Sequence, residues 1–167
     1  TLTIDGDLIV VDGGQLAANR DARFFISGNI TYAGNAFSRA RSVMTFFGPN
    51  NQSITNSSGL ADLALYDLVI DKDASANLVT LSTTAQSVQL DIFNILDVRQ
   101  GNLVTNNRLF IESRKRASDQ QIFHARIATL GAGGGITGNI RIEKRLTNTT
   151  DGWRQLALPV EATIASL

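Results

Sequence analysis

The chain has 167 residues, 43% of them hydrophobic, with fifteen basic and fifteen acidic side chains, one histidine and no cysteine. The charge balance removes the usual electrostatic drive toward nucleic acid or an anionic membrane surface. Without cysteine there is neither a disulfide framework nor a thiolate metal site, and no apolar stretch approaches the ~18 residues that span a bilayer.

Strand signals are short and closely spaced, at residues 8–11, 23–26, 30–32, 43–47, 63–70, 78–81, 88–92, 109–111 and 140–142. β-Branched and aromatic residues fill them, and Gly, Asn, Asp or Ser separate them. Residues 117–130 are the one helical alternative, with Ile122, Phe123, Ile127 and Leu130 at mixed spacing. The run Gly-Ala-Gly-Gly-Gly at 131–135 lacks the Lys-Ser/Thr of a phosphate cradle and is expected to be a flexible turn.

Two motifs recur. Ile-x-Gly-Asx-Ile/Leu occurs at Ile4-Asp5-Gly6-Asp7-Leu8, Ile26-Ser27-Gly28-Asn29-Ile30 and Ile136-Thr137-Gly138-Asn139-Ile140, the first two 22 residues apart. A second pattern runs through Val11, Gly14, Leu16 and Asn19 and again, 87 residues on, through Val98, Gly101, Leu103 and Asn106. A step of ~20 residues is that of a parallel β-helix coil, too small to have a core of its own and stable only when stacked on its neighbours. The expected fold is therefore all-β, a right-handed parallel β-helix of about seven coils, some 30 Å long at ~4.8 Å per coil. Glycines 6, 28 and 138 are expected at corners that need positive φ or close coil approach, and Asn19 and Asn106 at left-handed turns. Leu8, Val10, Ile26, Ile30, Phe46, Leu68, Ile70, Leu90, Ile92, Leu103, Ile111 and Ile140 are expected to point inward, around a core with no buried charge cluster.

The order Gly34-Asn35-Ala36-Phe37, Val43-Met44-Thr45-Phe46-Phe47-Gly48, Gln52-Ser53-Ile54 and Leu65-Tyr66-Asp67-Leu68-Val69-Ile70 resembles the β-helical region of large secreted surface proteins of Bacteroidetes. The stretch Ile136 to Arg145, followed by Gly152-Trp153-Arg154-Gln155-Leu156-Ala157-Leu158-Pro159-Val160, is similar to the point where the repeats of those proteins give way to another domain. The resemblance implies type IX secretion, display at the cell surface or release, and a role in adhesion or gliding. It divides the chain into repeats at 1–146 and a cap or domain junction at 147–167, with Trp153, Leu156 and Pro159 folding over the last coil. The chain opens on Thr1 and is expected to be a portion of a longer one.

Candidate chemistry is sparse. Polysaccharide cleavage needs a spaced carboxylate pair or a carboxylate-bound Ca²⁺ with a base, and the carboxylates at hand are Asp5, Asp7 and Asp12, Asp71 and Asp73, and Asp91 and Asp97, several at expected turns. A serine triad or an imidazole metal site would depend on His124 alone. No catalytic residue, metal or cofactor is assigned. Arg114-Lys115-Arg116, the one basic run, sits in an expected excursion at 112–121, either a solvated loop or a contact for acidic glycan or a partner protein. Tyr32, Tyr66 and Trp153 are the aromatics left for a sugar surface. The expected function is a structural or adhesive stalk, with a carbohydrate-binding or -cleaving β-helix as the alternative. Expected partners are other domains of the same chain and surface glycan or secretion machinery. Residues 1–107 carry a net −4 and 108–167 a net +4, so two copies would complement each other head to tail.

Overall fold

The computed structural model describes residues 1–16, 21–34, 41–58, 62–83, 89–115 and 121–144. Fifteen strands occupy them: β1 (Leu2–Ile4), β2 (Leu8–Val10), β3 (Arg23–Ile26), β4 (Ile30–Tyr32), β5 (Val43–Gly48), β6 (Gln52–Asn56), β7 (Leu63–Lys72), β8 (Leu78–Thr83), β9 (Leu90–Val104), β10 (Leu109–Ile111), β11 (Ser113–Lys115), β12 (Ile122–His124), β13 (Arg126–Ile127), β14 (Gly133–Thr137) and β15 (Ile140–Ile142). No described residue is helical, so the helical alternative at 117–130 gives way to β12 and β13.

Among the described residues all strand pairings are parallel except that of β11 with β12, and they build a β-solenoid. One side stacks β1, β3, β5, the later part of β7 and the middle of β9; a second stacks β2, β4, β6, β8 and the end of β9. From β7 onward a third side appears. Leu63 to Leu65 pair with Leu90 to Ile92, these with β10, and β10 with β15. A bulge between Leu65 and Asp67 turns β7 from the third side to the first.

The seven coils expected from a constant 22-residue step are replaced by about four regular two-strand turns, then β9 and an irregular layer of β10, β13 and β14. The step is not constant. It is 22 residues between Asp7 and Asn29, 27 between Asp67 and Asn94 and 35 between Asn102 and Thr137, because the third side and the β11–β12 hairpin lengthen the later turns. The 87-residue motif also fails as a structural repeat: Val98 is fully buried, whereas Val11 is 67% exposed.

Period-2 alternation sets what points inward. Leu2, Phe24, Met44, Leu68 and Leu96 form one column, and Ile4, Ile26, Phe46, Ile70 and Val98 another, each residue resting on its register partner. All twelve residues expected inward lie in the core or pack against it. Individual charges are nevertheless buried. Lys72 donates from Nζ to Phe47 O (2.7 Å) and to Gln52 Oε1, and Gln52 Nε2 donates to Ile26 O (2.9 Å) and Gly28 O (2.5 Å). Loss of hydration lowers the Lys72 pKa, opposed by Asp73, and the carbonyl ligands stand in for the missing water.

The corner motif behaves as its spacing implies. Gly6 has φ +132° and Gly138 φ +96°, while Gly28 is required by proximity, since a Cβ there would lie 2.2 Å from Gly6 C. Asn106 has φ +48° and donates from Nδ2 to Leu81 O on the neighbouring coil (2.7 Å). Asp7, Asn29 and Ser53 form a ladder along one corner, with Asp7 Oδ1 accepting from Asn29 N (2.7 Å) and Asn29 Oδ1 from Ser53 N (2.8 Å).

Gly28→Ala must push two coils apart and is expected to cost about 1–3 kcal/mol, as overpacking does. Leu68→Ala, which opens a cavity at a fully buried position, should cost about 2–5 kcal/mol. Urea denaturation of both variants against the parent protein measures these differences.

Candidate functional site

The densest grouping of chemically capable side chains lies outside the third side, around the β11–β12 hairpin. The bulge after Leu65 places Tyr66 on the outer surface, β9 contributes Phe93, and β12 contributes Phe123. Arg114 of β11 enters this space, its guanidinium carbon 5.6 Å from the Tyr66 ring, 5.9 Å from Phe93 and 5.6 Å from Phe123. Three ring faces around one delocalised cation make a cation–π cage, favoured where water is partly excluded. Its Nε is buried with no hydrogen-bond acceptor among the described residues. One layer on, Arg141 of β15 lies over Phe110 of β10 at 5.0 Å.

The hairpin is held at a second point. Ser113 and His124 are register partners, and the Ser113 hydroxyl lies 2.7 Å from His124 Nδ1, while Ser113 N donates to Glu143 Oε2 (3.2 Å). Serine, histidine and a carboxylate are thus together, but not as a hydrolytic triad. A triad orients the imidazole through the carboxylate, whereas Glu143 holds the backbone of the serine, and Ser113, at 2% exposure, has no room for a substrate carbonyl. Desolvation first and the Lys144 charge second lower the His124 pKa. The lowered pKa favours the neutral ring, whose tautomer sets which of Ser113 Oγ and His124 Nδ1 donates in this contact.

The basic run is split by this geometry. Arg114 is half-buried in the cage and belongs to a paired strand, which corrects the solvated-loop reading at that position. Lys115 ends β11, and Arg116 lies outside the described residues. So do Trp153, Leu156 and Pro159. Tyr66 joins the cage. Tyr32 faces the core instead, 3% exposed, its pKa pushed up to about 12 by burial despite a hydrogen bond to Asn56.

The aspartate pairs separate differently from their order in sequence. Asp91 stacks between Ala64 and Phe110 on the third side, whereas Asp97 lies on the first, register-paired with Val69. Asp97 instead meets Asp71 of the adjacent coil through Arg99, whose Nε is 2.8 Å from Asp97 Oδ2 and whose NH1 is 3.4 Å from Asp71 Oδ2. On the same outer surface Phe25 and Phe47 meet edge to face at 6.4 Å. Asp67, at the bulge, accepts from Asn94 Nδ2 (2.7 Å) and Ile95 N (3.0 Å); burial raises its pKa and these bonds oppose the rise. Among the described residues, no three His, Cys, Asp or Glu side chains gather as metal ligands would.

The glycine run at 131–135 is not a flexible turn. Gly133 to Thr137 form β14, pairing with Gln100 to Val104, and a Cβ on Gly134 would lie 2.2 Å from Val98 O. Beside it runs an open groove of about 380 Å³, lined by Ser75, Asn102 and residues 132–137, with no aromatic or charged side chain to grip a ligand. No protein-family model, curated protein or solved structure matches the chain.

Sequence signals for the cage existed only in part: Arg114 stood out by charge and Tyr66 as an unassigned aromatic, but nothing linked two residues 48 positions apart. Arg114→Ala should cost about 1–2 kcal/mol in denaturant stability, and Arg114→Lys should recover little of it because a compact ammonium cannot stack on three rings. His124 supplies a pH test. Its folded pKa lies below the ordinary value of 6.5, so its contribution is complete above about pH 6.5 and is lost as pH falls through the folded pKa. The parent protein should lose more stability than His124→Asn between about pH 8 and about pH 5; equal losses in chemical denaturation would remove His124 as the cause.

Proposed function

We propose that this chain is a structural or adhesive stalk module of a large secreted bacterial surface protein, in keeping with its resemblance to the β-helical regions of type IX secretion substrates. In this reading it sits at the cell surface or is released there, continuous with other domains of a longer chain. The observation that supports it most is the second side of the solenoid. Beyond the first coil, where Ile9 is exposed, its outward residues are small and polar, with Asn29, Ser53 and Thr80 in one column and Thr31, Thr55 and Ser82 in the next. Such a surface is suited to separating two objects rather than transforming either. The Arg114 cage provides the adhesive contact, a mixed aromatic and cationic grouping at the β11–β12 hairpin, chemically suited to surface glycan or a protein of the secretion machinery.

A second reading, glycan binding or cleavage along the first side, draws support from Phe25, Phe47, Asp71, Asp97 and Arg99 on adjacent coils. Aromatic faces with carboxylates are what a sugar chain needs, although Arg99 already engages both carboxylates. Incubating the domain with pectin, alginate and neutral polysaccharides should release neither new reducing ends nor unsaturated uronates. Product formation abolished by Asp71→Asn or Asp97→Asn would replace the stalk reading with the enzymatic one.

A further inference from the structure

A second arginine lies on a ring beside the cage. On the third side Leu109 and Ile111 point inward, each 1% exposed, so Phe110 between them faces out. It belongs to an outward column that runs Ala64, Asp91, Phe110 and Arg141 over four successive strands. Arg141 is exposed, and its guanidinium carbon lies 5.0 Å from the Phe110 ring. Phe93, which the Arg114 guanidinium approaches to 5.9 Å, is two positions along β9 from Asp91, the register partner of Phe110. The rings that carry the two arginines are therefore offset by one coil and two residues, ~4.8 Å and ~6.6 Å, on one lateral face of the solenoid. Neither arginine is paired with a protein carboxylate. Among the described residues the ion pairs are those of Arg99 with Asp71 and Asp97, and no acceptor reaches Arg114 Nε. Of the carboxylates on this side, Asp91 is 7% exposed, Glu143 accepts from Ser113 N (3.2 Å), and Glu112 is partly buried.

A ring beneath a guanidinium fixes its position without using any of its N–H donors. Such an arginine is prepared for a charge-assisted, two-point contact with a carboxylate. We propose that this face binds a carboxylated polysaccharide, a chain of uronic-acid units, with Arg141 and Arg114 each taking a carboxylate. The exposed parts of Phe110 and Tyr66 lie against the C–H faces of the sugar rings, and both side chains are partly exposed, as that contact requires. Arg114 Nε is enclosed, so its share of the contact falls to the terminal nitrogens. The ligand class follows from the coupling of the two features. A uronate joins a carboxylate to a ring with an apolar face, and the site joins a guanidinium to an aromatic face, twice over on neighbouring coils. A small free anion has no use for the rings, and an acidic peptide has no flat C–H face to lay on them. The proposal rests on the stalk reading, in which the Arg114 grouping is the adhesive contact, and it names the ligand that this contact takes.

Calorimetric titration with an oligogalacturonate and with its methyl ester tests this, because esterification removes the charge and keeps the sugar. The parent protein should bind the acid form about tenfold or more tightly than the ester. Arg141→Gln, at an exposed position, should weaken that binding about tenfold with urea stability unchanged, whereas Arg23→Gln, exposed on the first side, should leave it as it was. Four results would each overturn the proposal and leave the stalk reading standing: equal binding of acid and ester, binding of neither, an Arg23→Gln loss that matches the Arg141→Gln loss, or equal affinity for oligoglutamate. Release of new reducing ends or unsaturated uronates during the titration would overturn the stalk reading and the proposal with it.

Discussion

The parallel ladder between coils is the constraint on which everything else rests. A turn of this chain has one layer of apolar side chains and cannot enclose them; only when Ile26 rests on Ile4 and Phe46 on Ile26 does either lose its water. Register is therefore enforced twice, by backbone hydrogen bonds and by the inward columns, and a slip of one residue would turn every column outward. The polar corners obey the same rule. Gln52 and Lys72 are tolerated inside because each finds carbonyl groups at a fixed height on the adjoining coil.

Against that regularity the third side is an addition. It begins where β7 acquires extra residues before its bulge, and it carries the hairpin that holds Arg114 and His124. Rigid coils with an inserted hairpin place a reactive-looking cluster on a firm base while leaving the ladder undisturbed. The two pins of that hairpin differ in kind. The cage packs a guanidinium among three rings, whereas the Ser113–His124 contact is one hydrogen bond whose direction follows the state of the imidazole.

Much of the fold was legible in the sequence because inward positions in a solenoid strand alternate and the alternation was kept: β3, β4, β10 and β15 have the bounds that their residues suggest. β6 was less visible, since Gln52 and Asn56 occupy inward-facing positions that polar residues normally avoid. β14 was invisible, since Gly133 to Gly135 have no intrinsic strand preference and are held by pairing with β9 and by the nearness of Val98. Turn length was misjudged for a related reason: a repeat seen twice near the start says nothing about insertions later, which are free to grow wherever the chain leaves the ladder. Of the candidate site, charge marked Arg114, but a cage is a three-body arrangement across different coils and no one-dimensional pattern encodes it.

The direction of the inter-coil hydrogen bonds has a mechanical consequence. They lie along the axis on which the coils are stacked, so tension applied along that axis loads each bond lengthwise and opens a coil one ladder at a time, unlike the shearing of strands pulled along their own length. With 22 residues separating Asp7 from Asn29 and 28 separating Asp67 from Ile95, each opened coil would pay out about 70–100 Å of chain at ~3.3–3.6 Å per residue. The solenoid would yield by graded lengthening, coil by coil, and would dissipate a pull instead of transmitting it whole.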